Sequence, residues 1–361
     1  MTLFWINLTV VFIFSFFARY AASTRFSYVS TISSVYIKPN KIFVLGALLT
    51  LVLISGLRGT SIGDTFNYVD IYRDNKFTWN YIISKKDIGF GILQMVLQHF
   101  SANPQVMIFT TALITNLLII IILYNYSRLF EISLYVYITG GLFLVSMNGI
   151  RQVLAAAISF TSIKFLMEGS WKKYIVVILV ASLFHQSALI LIPMYFIVRF
   201  KAWSKVTIAL ILLSIVIVIG FNQFSTLIFS ALQDTQYANY KNFHEGGANA
   251  LRVVVNAVPL LIAFIGRKNL KRMFPNSDII VNMTLLGFVF MLISTQNWIF
   301  ARISIYFGLY HLILISWVVK LFRERDEKLI YYAILICYFT YYYYENVISL
   351  NIVYQSKYLN L

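Results

Sequence analysis

Ten polar side chains stand where apolar stretches of this chain begin or end: Arg58, Asp64, Asn148, Arg151, Gln152, His185, Gln186, Arg252, Asn297 and Arg302. Their types suit one kind of chemistry. Forked guanidinium donors grip phosphate oxygens. A carboxylate or an imidazole takes a proton from a hydroxyl near neutral pH. Ionisable groups held beside apolar runs are costly, and in a membrane setting they are functional candidates.

The candidates fall into segments. At 58–68, Arg58 and Asp64 share a turn with Gly59 and Gly63, and Asn67 and Tyr68 follow. Glycine lets such a turn approach a ligand closely. The plainer alternative is a loop in which Arg58 pairs with Asp64 and only shapes the turn. At 148–152, Gly149 separates two apolar runs and Arg151 opens the second, with Asn148 and Gln152 beside it. A helix N-terminus with an arginine suits an anion, although an interfacial arginine also snorkels to headgroups. His185 and Gln186 interrupt a long apolar run flanked by Lys172, Lys173, Arg199 and Lys201, which demands a hairpin with His185 near its tip. Arg302 opens a further apolar run, where phosphate binding and snorkelling fit equally. A weaker set, Tyr237, Tyr240, His244, Glu245 and Arg252, surrounds Gly246-Gly247 in a long loop. An ordinary solvated loop explains His244 better than a ligand does.

The elements that must position these groups are membrane helices. Hydrophobic residues make up 60% of the 361 and charged residues 12%, with a mean hydropathy of +0.78. A soluble domain carries about 25% charge. That excludes an ordinary soluble enzyme, a disordered chain and a nucleic-acid-binding domain, and leaves a polytopic helical membrane protein. The apolar residues run on without alternating, unlike a β-barrel. One cysteine, Cys337, permits no intrachain disulfide. The four histidines form no HExxH or other cluster, so neither a metal nor a cofactor is expected.

Twelve apolar runs predict spans at 3–18, 42–57, 105–124, 132–148, 151–167, 171–184, 187–200, 206–221, 253–266, 278–294, 302–319 and 329–345. The first has no basic flank or cleavage site and reads as a retained span. The shorter run 88–100 suits a re-entrant or interfacial helix. With the N-terminus outside, 19 of the 29 basic residues fall on the inner side. This explains the net charge of +16 as a positive-inside bias, not a nucleic-acid footprint. The outer loops are then about 58–87 and 222–251, and Trp298 and the tyrosines at 341–344 suit the outer interface. The fold class is all-α, in one membrane domain over 1–361. No Walker, GxGxxG or GxSxG motif occurs. One-sided arginines fit an anionic ligand reached from outside, such as a lipid-linked phosphate or diphosphate.

Five stretches resemble the EpsG family in the family's order. RGTSIGDTFNY at 58–68 looks like its R-x-G-T-D-x-x-N-Y segment, and DIGFGILQ at 87–94 like its E/D-x-G-F segment. NGIRQVLAAAI at 148–158, SLFHQSALIL at 182–191 and ARISIYF at 301–307 resemble its R-Q-x-x-A, S-x-F-H-x-S-A and R-[IF]-x-x-Y-F segments. The resemblance implies a Wzy-type polymerase of exopolysaccharide, capsule or O-antigen, with a GT-C-like fold. It would sit in the bacterial cytoplasmic (inner) membrane with its site facing the periplasm or cell exterior. It would transfer a glycan from undecaprenyl diphosphate to the non-reducing end of another lipid-linked repeat unit. On that reading Asp64 or His185 deprotonates the acceptor, and Arg151 is catalytic with them. Arg58, Arg151, Arg252 and Arg302 hold the diphosphate. Asn67, Tyr68, Asn148, Gln152, Tyr237 and Tyr240 face the glycan. No metal is needed where arginines neutralise the leaving group, and direct displacement inverts the anomeric centre. The implied partners are membrane lipid, a chain-length co-polymerase and a flippase. The rivals are an O-antigen ligase or another polyprenyl-phosphate-dependent glycosyltransferase, and a 12-span transporter of lipid-linked glycans.

Overall fold

Continuous apolar sequence leaves each backbone amide to be satisfied within its own segment, which only a helix achieves in hydrocarbon. The computed structural model describes residues 1–22, 38–221, 223–225 and 246–359, and there the apolar runs are carried by helices, with no strand among the described residues. The helices are α1 (Thr2–Tyr20), α2 (Lys41–Gly56), α3 (Thr65–Asp74), α4 (Trp79–Ile83), α5 (Ile88–Phe100) and α6 (Pro104–Tyr126). Next come α7 (Phe130–Thr139), α8 (Leu142–Asn148), α9 (Ile150–Phe160), α10 (Ile163–Glu168) and α11 (Trp171–Phe184). A 3₁₀ turn (Gln186–Ile190) leads into α12 (Leu191–Ile197) and α13 (Lys205–Ile219). The last are α14 (Ala250–Ile265), α15 (Arg267–Met273), α16 (Ser277–Ile293), α17 (Ile299–Val318) and α18 (Glu324–Tyr343), which ends in a π-helical turn at Tyr344–Ser349.

Local chemistry sets several boundaries. Asn40, Asn103 and Asn249 each accept a backbone N–H two residues on, capping α2, α6 and α14. Pro104 occupies the first turn of α6, where its missing N–H costs nothing. At Gly140-Gly141 the chain turns between α7 and α8, and Gly141 takes a φ of +90° that a side chain would resist.

The chain is an all-helical membrane protein. Thr2–Tyr20, Pro104–Tyr126, Ile150–Glu168 and Ile299–Leu321 are each long and apolar enough to cross a bilayer. Two bent pairs bring the total to six among the described residues: α7 with α8, bent by 53°, and α14 with α15, bent by 80°. The twelve apolar runs therefore do not translate one for one into long straight helices. The run 132–148 breaks at its glycine pair, and α14 stops at Gly266 before the basic α15. The run 88–100 forms α5, whose 13 residues fall short of the ~20 that a crossing takes.

Helix α17 is the centre of the packing and is buried along most of its length. It packs on α16, α7 and α9. Phe307 stacks on Phe290 of α16 at 5.5 Å, and Tyr310 meets Phe160 of α9 edge-on at 5.1 Å. A second bundle joins α1, α2, α6 and α7. There Glu131, fully buried at the start of α7, takes an ion pair from Arg19 of α1 at 2.8 Å. Removing one partner of a buried ion pair costs about 3 kcal/mol or more. Glu131→Ala is therefore expected to lower the melting temperature in detergent by several degrees, and an unchanged melting curve would show that the pair does not hold α1 to α7.

Candidate active site

The site is built on a buried arginine. Arg58 follows the end of α2 and is 2% exposed. Its Nη1 donates to the Ser55 carbonyl, its Nε to Thr65 Oγ1 at 3.3 Å, and its Nη2 to the Met147 carbonyl at 2.9 Å. The 58–65 loop is thereby pressed against the end of α8. Gly63, at a φ of +47°, makes the contact tight enough that a Cβ there would lie 2.1 Å from Asn148 Oδ1. That same oxygen accepts the Asp64 backbone N–H at 2.8 Å. From behind, the Gly59 amide donates to the Gln355 carbonyl at 2.6 Å, Tyr354 Oη to the Ile54 carbonyl and Ser356 Oγ to the Leu57 carbonyl.

Asp64 is thus set on the rim of a cavity of about 270 Å³ lined by α7, α8, α9, α14, α16, α17 and α18. Its polar lining includes Asp64, Asn148, Gln152, Arg252, Arg302 and Glu345. Arg302 Nη2 lies 3.7 Å from Asp64 Oδ2, and the guanidinium sits 4.6 Å from the centre of the Trp298 ring. Gln152 Nε2 donates to the Arg302 carbonyl at 2.8 Å, tying α9 to α17. Arg252 donates from Nε at 2.8 Å, and also from Nη2, to Oε1 of the buried Glu345. The remaining lining is largely apolar, with Val136, Leu144, Met291 and Ile305 among it. His311 lines it too, bonded through Nε2 to Tyr338 Oη at 2.8 Å. His311 is nine residues beyond Arg302, about 13 Å along α17 at ~1.5 Å per residue.

A second polar cluster adjoins the cavity. Arg151 Nη1, on α9, pairs with Asp87 Oδ2 at 2.7 Å. Asp87 Oδ1 accepts the Gln186 backbone N–H at 3.2 Å. Burial raises the Asp87 carboxyl above its ordinary range, and Arg151 and the Gln186 amide oppose the shift. The Arg151 guanidinium lies 5.6 Å from the Tyr68 ring. His185 is at the tip of the expected hairpin, because Tyr174 of α11 reaches back to the Leu191 carbonyl and to the Tyr195 ring. Its Nδ1 is 2.6 Å from Ser187 Oγ, which is 2.8 Å from Tyr306 Oη on α17.

Asp64, Asn148, Gln152, Arg252 and Arg302 therefore meet at one cavity. Arg151, His185 and Tyr68 stand in the neighbouring cluster and do not line it. Asn67 is exposed on α3. Arg58 directs three of its N–H donors at acceptors within the protein and so holds the loop. Tyr237, Tyr240, His244 and Glu245 lie outside the described residues. The sequence reading passed over two acids, Asp87 and Glu345, which prove to be the partners of Arg151 and Arg252. The signal was available in each: an acid at the edge of an apolar helix needs a counter-ion. No group of three or more His, Cys, Asp or Glu able to hold a metal ion occurs among the described residues.

The model of the EpsG family matches residues 41–358. No curated protein and no solved structure matches the chain.

Gly63→Ala forces a Cβ into the Asn148 amide at a positive φ. The conformation alone costs about 1 kcal/mol or more, and the loop has to lift Asp64 away to relieve the contact. The variant is expected to melt lower in detergent, with Asn148→Ala affected less. Equal stability of Gly63→Ala and the unaltered chain would show that the loop is not seated on α8 in this way.

Proposed function

Because the chain belongs to the EpsG family, we propose that it is a polysaccharide polymerase of the GT-C kind, with about twelve membrane crossings. It transfers a glycan from undecaprenyl diphosphate to the non-reducing end of a second lipid-linked repeat unit. The reaction takes place at the outer leaflet of the bacterial cytoplasmic membrane. A flippase supplies the unit and a chain-length co-polymerase acts beside it. One observation carries the reading beyond family membership. The cavity places a carboxylate beside an arginine, Asp64 with Arg302, where a polar lining meets an apolar one. A diphosphate with a sugar on one side and a polyprenyl chain on the other has the same division of polarity.

In this mechanism the donor diphosphate takes up Arg302 and Arg252 and frees Asp64 from its ion pair. Asp64 accepts the proton of the acceptor hydroxyl as that oxygen bonds to the anomeric carbon. The carbon–oxygen bond to the diphosphate breaks, its electron pair leaves on the phosphate, and the centre inverts. Charge-assisted bonds that strengthen as the leaving group gains charge lower the barrier. Asp64 is favoured over His185 as the base because it lines the cavity, whereas His185 is buried and engaged with Ser187 and Tyr306. Arg151 supports the site from the adjoining cluster, where it steadies Asp87 and the hairpin tip.

The test is reconstitution of purified protein with undecaprenyl-diphosphate-linked units from the producing strain, in the presence of EDTA. A ladder of polymer is expected. Folded protein that makes no ladder but joins preformed chains to a lipid A-core acceptor would replace the reading with a ligase. Asp64→Asn is expected to lower kcat by about 10²–10⁴-fold, and Arg302→Ala by about 10²–10³-fold. His185→Ala should lose less than Asp64→Asn, and the reverse order would move the base to His185.

A further inference from the structure

Glu345 holds a carboxylate whose two oxygens are in different situations. Oε1 receives both donors of Arg252. Oε2 is buried and has no hydrogen-bond partner among the described residues. The residue is 4% exposed and lines the same cavity as Asp64. A buried carboxylate oxygen without a donor costs free energy, and such a group in a native fold calls for an explanation. The backbone around it is also unusual. Glu345 lies in the π-helical turn Tyr344–Ser349, a rare conformation that often occurs at functional sites.

We propose that Glu345 is an acceptor-sugar subsite, in which Oε2 accepts a hydrogen bond from a hydroxyl of the incoming repeat unit while Arg252 fixes Oε1. An ionised carboxylate only accepts, so its natural partner is a ligand rich in O–H donors. A saccharide is such a ligand, and a diphosphate, which offers only acceptors at neutral pH, is not. Arg252 then has two duties in one geometry: it faces the leaving group and it orients Glu345. The aromatic rings of Trp298 and Tyr341 line the same cavity and give the sugar's C–H faces an apolar surface. The proposal deepens the polymerase reading and rests on it for the identity of the glycan.

The test varies the acceptor alone. The acceptor is the strain's repeat unit on a short alkyl carrier, and the native lipid-linked donor is held saturating. Glu345→Gln keeps the side-chain volume and an oxygen for Arg252 but loses the charge. It is expected to raise the acceptor KM about tenfold, the worth of a hydrogen bond to a charged group, with the donor KM within about twofold. An unchanged acceptor KM overturns the proposal, as does an equal rise in both KM values. If Glu345→Gln does not fold, Glu345→Asp keeps the charge but draws the carboxylate back from the cavity, and the same selective rise is expected. Binding of the carrier-linked glycan, read by thermal shift without turnover, separates the two readings. Weaker binding in the variant supports the subsite even where no polymer forms, and equal binding sinks it.

Discussion

The buried Arg58 guanidinium is the contact on which the site depends. A charge in that position has to find acceptors, and it finds them on three elements: the end of α2, the start of α3 and the end of α8. The desolvation cost is offset only when all three are in place, so the loop has one seat. Asp64, the cavity rim and the Asp64–Arg302 pair follow from that seat. A lysine would not substitute, because one ammonium cannot direct bonds along the separate directions of a planar fork.

Charge pairing repeats the same logic around the cavity. Three arginines near the site are each matched to an acid from another part of the chain: Arg302 to Asp64, Arg252 to Glu345 and Arg151 to Asp87. These pairs keep positive charge from standing bare beside the apolar lining. They also differ in how readily they yield. Asp64 with Arg302 is the longest of the three and the most exposed, whereas Asp87 and Glu345 are buried. Of the three, the Arg302 pairing is the weakest.

Much of this was legible in the residues. The break at Gly149 and the hairpin tip at His185 follow from charges and glycines interrupting apolar runs, and the helices stop where those residues stand. Span lengths were less legible, because hydropathy does not register a bend. Gly140-Gly141 and Gly266 lie in or beside runs that look continuous by composition. The partners were least legible. Arg252 and Glu345 are 93 positions apart, and Arg151 and Asp87 are 64 apart. Nothing local tells an acid which distant arginine it will meet. Arg58 is a like case, since its acceptor on Met147 lies 89 positions away.

The strand of chain at 354–356 braces the 58–65 loop from behind, through Tyr354 to Ile54 and Ser356 to Leu57. These contacts join residues 300 and 299 positions apart. During synthesis the loop therefore emerges long before the segment that fixes it. The helices between the two are made while the rim of the cavity is still unbraced, and the loop is seated by a late, long-range contact. A chain assembled in that order keeps Asp64 and the end of α8 out of register until nearly all of its helices have been made, so a nascent chain stalled partway lacks the braced cavity rim.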